Sequence, residues 1–258
     1  MFVSVQQPVI DVRNGSFGYR NQLAVTADVR IAAGEVVALL GPNGSGKTTL
    51  LKGMLGLVDR LAGDVQLFGT PIESFRQRDR IGYVPQRQTA AGPIPVTVTE
   101  LVRSGRLAGR GVLHRSRRDD RAAVRAAIDA VGLGDKAREP VATLSGGQQR
   151  RALVARALAG GAQVLLLDEP LAGVDQANQE AMANAIADLV DDGATVVVVL
   201  HELGPLEPLV TRVVCLDVGA VTFDGPIDAA PARLLHLGHD HDPHGGVEQR
   251  RRGMGLIP

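Results

Sequence analysis

The segment Gly41-Pro42-Asn43-Gly44-Ser45-Gly46-Lys47-Thr48 places flexible glycines, an ammonium and a hydroxyl in one short stretch. It fits the pattern G-x-x-x-x-G-K-[ST], and its chemistry is phosphate recognition. The apolar run Val36–Leu40 ahead of it reads as a buried strand, and Thr49-Leu50-Leu51-Lys52 reads as the first turns of a helix. Glycines let backbone N–H groups turn inward, and a helix N-terminus adds partial positive charge where phosphates would sit. Lys47 is expected to reach the β- and γ-phosphates and Thr48 to ligate Mg²⁺. The expectation is a nucleoside-triphosphate site.

A second segment carries the acidic chemistry such a site needs. In Val164-Leu165-Leu166-Leu167-Asp168-Glu169-Pro170 four apolar residues make an interior strand, and Asp168 at its end can hold Mg²⁺. Glu169 then stands beside the γ-phosphate, able to orient or deprotonate water. A third segment, Leu144-Ser145-Gly146-Gly147-Gln148 followed by Gln149-Arg150-Arg151, is a further helix start with a serine cap and glycine-exposed N–H groups.

These three segments together resemble the ATP-binding cassette (ABC) ATPases, over about residues 8–228. The resemblance implies a P-loop α/β core with a mostly parallel sheet, an N-terminal antiparallel β subdomain and an inserted α-helical signature subdomain. It implies that Ser145, Gly146, Gly147 and Gln148 face the γ-phosphate of ATP held by a second copy, giving a head-to-tail dimer around two ATP molecules. Lys47, Thr48 and Thr49, with Gly41, Pro42, Asn43, Gly44, Ser45 and Gly46, cradle the chain's own nucleotide. Tyr19 in Ser16-Phe17-Gly18-Tyr19 matches the aromatic that stacks on adenine. Gln86 in Tyr83-Val84-Pro85-Gln86 resembles the glutamine that touches Mg²⁺ and water. Asp175 in Leu171-Ala172-Gly173-Val174-Asp175 resembles the aspartate at the dimer interface, and His201 the switch histidine at the γ-phosphate. Thr48, Gln86 and Asp168 are thus the expected Mg²⁺ group, and Glu169, His201, Gln86 and Lys47 the catalytic one. No element of the pattern is missing.

The elements that must position these groups follow from hydrophobic periodicity. Residues 2–40 alternate short apolar runs with turn signals, and 63–69 and 80–84 add short strands. From about residue 97 the period becomes helical. Val98, Leu101 and Val102 share a face, residues 122–128 form an amphipathic helix, and a third helix runs through Arg150–Ala159 to Gly160-Gly161. Two strand–helix units follow, Val164–Leu167 with Gln176–Val190, then Thr195–Leu200 with a turn at Gly204-Pro205. Alternation of this kind implies a mostly parallel, buried sheet. Residues 1–230 are read as one ATPase domain with a helical subdomain at about 90–158, and 231–258 as a histidine-rich tail.

Composition narrows the partners. Lys+Arg and Asp+Glu both number 28, which gives no support for nucleic-acid binding. The single cysteine, Cys215, rules out an internal disulfide and reads as a small buried hydrophobe in a core strand. No signal peptide is visible, and no apolar run approaches the roughly 20 residues of a membrane span. One cassette without spans implies a separate membrane permease, an extracytoplasmic substrate-binding protein for an importer, and a place on the cytoplasmic side of the membrane. The permease is expected beside Gln86 and Ala91–Arg106.

Cargo is read from two features. Pro93-Ile94-Pro95-Val96-Thr97-Val98-Thr99-Glu100-Leu101-Val102 and Glu169–Asp175 resemble zinc and manganese importer ATPases. His236, His239, His241 and His244, with Asp240 and Asp242 between them, offer imidazole and carboxylate donors for a transition metal. A solvated tail binding nothing is the alternative. Arginines at 103, 106, 110, 115, 117, 118 and 121 read mostly as the solvated face of the helical subdomain. A cassette for another cargo and a soluble, non-transport cassette stand as alternatives, while a kinase would leave residues 144–148 unexplained.

Overall fold

The computed structural model describes residues 7–86, 96–106 and 118–232. Among these residues ten strands form one sheet: β1 (Ile10–Tyr19), β2 (Gln22–Ile31), β3 (Val36–Leu40), β4 (Asp59–Leu67), β5 (Thr70–Pro71), β6 (Ile81–Val84), β7 (Val164–Asp168), β8 (Thr195–Val199), β9 (Arg212–Asp217) and β10 (Ala220–Pro226). Their order is β5-β4-β1-β2-β10-β9-β3-β8-β7-β6. The half from β6 to β9 is parallel and the half around β1 is antiparallel apart from one parallel bridge between β10 and β2. Among the described residues five α-helices accompany it: α1 (Lys47–Met54), α2 (Val98–Gly105), α3 (Arg118–Ala130), α4 (Gly146–Gly160) and α5 (Gln176–Asp191).

The interior parallel strands β3, β7 and β8 are buried at every residue because both faces are covered. Side chains alternate across the sheet. Ala38, Leu40, Leu165, Leu167, Val196 and Val198 pack towards α4 and α5, and Cys215 lies in that same core. Val37, Leu39, Leu166, Val197 and Val199 pack with Leu50, Leu51 and Met54 of α1 and with Phe17 and Val25 of the antiparallel half. Burial pushes the Cys215 thiol up to about 11, which keeps it protonated and inert, as its sequence setting implied.

β1 turns into β2 through Arg20 and Asn21, both at positive φ, the geometry of a two-residue hairpin whose twist matches its strands. Between β6 and β7 the described elements are helical, α2 through α4 with short 3₁₀ turns. Arg106 departs from the solvated-face expectation. Its guanidinium pairs with Asp120 at 2.9 Å and donates to the Ala159 carbonyl at 3.2 Å, tying α2 to α3 and α4. The expected helix over 122–128 begins earlier, at Arg118, and the helix expected after the Ser145 cap begins at Gly146. β10 was not foreseen. Residues 87–95, 107–117 and the four tail histidines lie outside the described residues, as does part of the expected permease-facing stretch.

Candidate nucleotide site

β3 lies between β8 and β9, and the chain leaves its carboxyl end at Gly41. Gly41 has φ 146° and a Cβ there would come within 2.2 Å of the Leu216 carbonyl oxygen, so only glycine fits. Gly46 caps α1 without a side-chain bond, which leaves the first N–H groups of the helix to an incoming acceptor. Pro42, Asn43 and Gly44 are exposed, whereas Ser45, Lys47 and Thr49 are buried. The Lys47 ammonium donates to the carbonyls of Gly41 at 2.6 Å and Pro42 at 2.9 Å. Burial lowers its pKa, against the opposing charges of Glu169 and Asp168.

Thr48 and Asp168 meet at the floor of this loop, where the threonine hydroxyl donates to Oδ1 at 2.8 Å. Burial raises the Asp168 carboxyl above the usual range, although the Thr48 hydroxyl and the Gln86 backbone N–H pull it down. Its Oδ2 and the Ser45 Oγ are buried without a hydrogen-bond partner. An orphaned carboxylate oxygen beside a hydroxyl is costly unless something hard and positive, or a donor, completes it. Oxygen donors of this kind are what Mg²⁺ takes alongside phosphate, so the residues present fit a Mg–nucleotide.

Two further side chains converge on the next residue, Glu169. Glu169 sits at φ 51°, a region that costs a non-glycine residue on the order of 1–3 kcal/mol and persists where surrounding contacts enforce it. Its N–H donates to the Val199 carbonyl at 3.1 Å. Gln86 Nε2 donates to its Oε2 at 2.7 Å, and His201 Nε2 lies 3.0 Å from its Oε1. Lys47, Thr48, Gln86, Asp168, Glu169 and His201 therefore gather where β3, β6, β7 and β8 end. Ligands in open α/β sheets bind at that carboxyl edge.

The remaining sequence candidates are engaged elsewhere. Ser145 caps α4, its Oγ accepting from the Gln148 N–H at 3.3 Å while Gln148 Oε1 accepts from the Ser145 N–H at 2.9 Å. Ser145 and Gly146 are exposed, and Gly147 packs so closely that an added Cβ would lie 2.9 Å from the Gly173 carbonyl. Asp175 caps α5, accepting from the Asn178 N–H at 3.1 Å, and the Asn178 bonds hold its carboxyl below the usual range. Tyr19 ends β1 half-exposed. Residues 41–49 and the acidic pair thus form one cluster, and Ser145–Gln148 with Asp175 form a second surface.

Sequence reasoning passed over Arg150 and Arg151. Arg151 is buried, and its Nη1 donates to the carbonyls of Val131 at 2.8 Å and Gly132 at 3.1 Å and to Asn178. Only the Arg-Arg pair just after the glycines marked these positions, and nothing in their spacing named their partners. Among the described residues no cluster of His, Cys, Asp and Glu could hold a metal, and no helix is long and apolar enough to cross a membrane.

Comparison with known proteins places this arrangement. The family model described as ABC transporter matches residues 25–172. The chain is 38% identical over 200 residues to the manganese transport system ATP-binding protein MntB of Bacillus subtilis, covering 78% of this chain and 79% of that one. It is 35% identical to the zinc transport system ATP-binding protein TroB of Treponema pallidum, covering 88% and 85%. It is 41% identical to the hemin import ATP-binding protein HmuV of Nocardia farcinica, covering 84% and 75%. Among solved structures, cbiO1 of Clostridium perfringens, part of the ABC transporter complex cbiONQ, superimposes with a TM-score of 0.70 at 26% identity, covering 86% and 89%. With its phosphate loop and acidic pair inside the matched span, the chain belongs to the ABC transporter family as one of its ATPase chains.

Proposed function

We propose that the chain hydrolyses ATP to drive import of a transition-metal ion, manganese or zinc. The observation that carries the ATPase part is the meeting of Lys47, Thr48, Asp168, Glu169, Gln86 and His201 at one sheet edge. In this reading Lys47 leaves its loop carbonyls to offset charge on the transferring phosphoryl. Thr48, Asp168 and Gln86 hold Mg²⁺, whose chemistry is to neutralise charge on the phosphate oxygens. Glu169 orients and deprotonates the attacking water, and Gln86 and His201 fix the direction of its carboxylate. Tyr19 stacks on adenine, and Gly41 to Thr49 surround the phosphates.

The second surface, Ser145, Gly146, Gly147 and Gln148 with Asp175, completes the ATP site of another copy. The exposed helix start supports this, since the capping pair takes the Ser145 and Gln148 N–H groups and leaves those of Gly146 and Gly147 to meet an anion. A membrane permease beside Gln86 and residues 91–106 transmits the stroke, an extracytoplasmic protein delivers the cargo, and the chain works on the cytoplasmic side. The domain reading is one ATPase domain over 1–230, a helical subdomain at about 90–158 and a tail at 231–258. His236, His239, His241 and His244 of that tail buffer or sense the metal.

The cargo rests on the manganese and zinc transport relatives together with the resemblance of residues 93–102 and 169–175. A second cargo, hemin, is favoured by the 41% identity to a hemin import ATP-binding protein. The test replaces Glu169 with Gln in the native host and measures cell manganese, zinc and iron on limiting metal, with and without hemin as iron source. A selective fall in manganese or zinc supports the first reading. Failure to grow on hemin with manganese and zinc unchanged replaces it by the second.

A further inference from the structure

Arg150 lies in the first turns of α4, and its guanidinium reaches out of the helix to three backbone carbonyls. Nη2 donates to the Gln86 carbonyl at 2.8 Å. Nη1 donates to the Glu169 carbonyl at 3.3 Å and to that of Ala172. These carbonyls belong to the two segments, after β6 and after β7, whose side chains meet at 2.7 Å in the catalytic cluster. A planar fork of N–H groups can bridge two such segments at once, which a single ammonium cannot.

The contact also bears on the backbone of Glu169. Its left-handed φ needs enforcement, and its carbonyl accepts only weakly from the Ala172 N–H, at 3.3 Å. Arg150 closes the other side of that turn. A second contact between the same helix and the same turn is the close approach of Gly147 to the Gly173 carbonyl. A helix moves as a rigid piece, so a shift at Ser145 or Gly146 is carried to Arg150 and from there to Gln86 and Glu169.

We infer that Arg150 is a positioning residue: it ties the start of α4 to Gln86 and Glu169 of the same chain, so that ATP bound there by a second copy sets the geometry of this chain's own hydrolytic pair. The inference rests on the ATP-sandwich reading above. It assigns the link within one chain by which filling one site prepares the other.

The test compares purified wild-type protein with R150Q and R150K. The readouts are ATPase kcat and KM, the melting temperature, and ATP-dependent dimerisation in an E169Q background. R150Q is expected to lose about tenfold to a hundredfold in kcat, the cost of a small misplacement of catalytic groups, with KM and melting temperature unchanged and the dimer still forming. R150K, which keeps the charge without the fork, should remain impaired. Wild-type kcat in R150Q, full rescue by Lys, or a parallel loss of melting temperature, KM and dimerisation would each overturn the inference. A wild-type protein with no ATPase activity would instead remove the functional reading beneath it.

Discussion

Gln86 and Glu169 are hydrogen-bonded side chain to side chain, Nε2 to Oε2 at 2.7 Å, although the sequence separates them by the whole helical segment. His201 takes the other carboxylate oxygen at 3.0 Å. Both oxygens of the glutamate are thus oriented by neighbours on adjacent strands, and the carboxylate has a fixed direction before nucleotide arrives.

E169Q keeps the shape of that side chain and removes its basicity. Phosphate release should fall by about 10²- to 10⁴-fold, the range for a positioned base, while the affinity for a fluorescent ATP analogue stays within about twofold. Turnover near the parent rate would take Glu169 out of the base role.

H201A frees Oε1 without touching the phosphate loop. The expected result is a fall in kcat of about tenfold to a hundredfold with KM for ATP little changed, the pattern of an interaction that matters in the transition state. A large rise in KM with unchanged kcat would make His201 a ground-state binding group instead.

Burial acts against the charged forms of both Asp168 and Lys47. Asp168 is raised by burial, so its contribution to stability is full below the ordinary aspartate range and is lost as pH rises through the raised value. Lys47 is lowered by burial, so its contribution is full above the ordinary lysine range and is lost as pH falls through the lowered value. At neutral pH D168N should therefore raise the melting temperature of the nucleotide-free protein by about 2–4 °C, the effect of roughly 1 kcal/mol in a chain of this size. The gain should shrink as pH falls through the raised value, where Asp168 itself takes up the proton. In the same variant the thermal shift given by Mg–ATP should disappear, and calorimetric scans with and without Mg–ATP read both effects.

G147A tests the second surface. An added methyl 2.9 Å from the Gly173 carbonyl forces the start of α4 away from the turn after β7. ATP binding to the monomer should persist, whereas ATP-dependent dimerisation in an E169Q background should weaken by at least about tenfold, the price of roughly 1.4 kcal/mol of misfit. Size-exclusion chromatography with light scattering distinguishes the two; an unimpaired dimer would place Gly147 outside the interface.

The phosphate loop and the strand with Asp168 and Glu169 were legible because their chemistry is contiguous: a few residues in a row contain both the strand and the groups it presents. The parallel strands were legible for a related reason, since burial on both faces leaves runs of Val, Leu and Ala. β10 escaped because only alternate residues of Ala220–Pro226 face the protein, and the segment ends in Gly-Pro. The start of α4 was legible from Ser145, whose cap of the helix at Gly146 is completed by the reciprocal bond from Gln148. The contacts of Arg150 could not be read at all. They go to backbone carbonyls, and a carbonyl carries no residue identity for a sequence to display.

Ser145 and Gly146 open α4 at the exposed surface, and neither is bonded to the Lys47 cluster. A single chain in this reading is half of two different active sites. Catalysis then obeys mass action: at low protein concentration the rate should grow with the square of concentration, and the specific activity should fall on dilution. Tethering two copies side by side, as a membrane partner would, converts that second-order encounter into a first-order closure. The chain's activity is then governed as much by how many neighbours it is given as by how well it binds ATP.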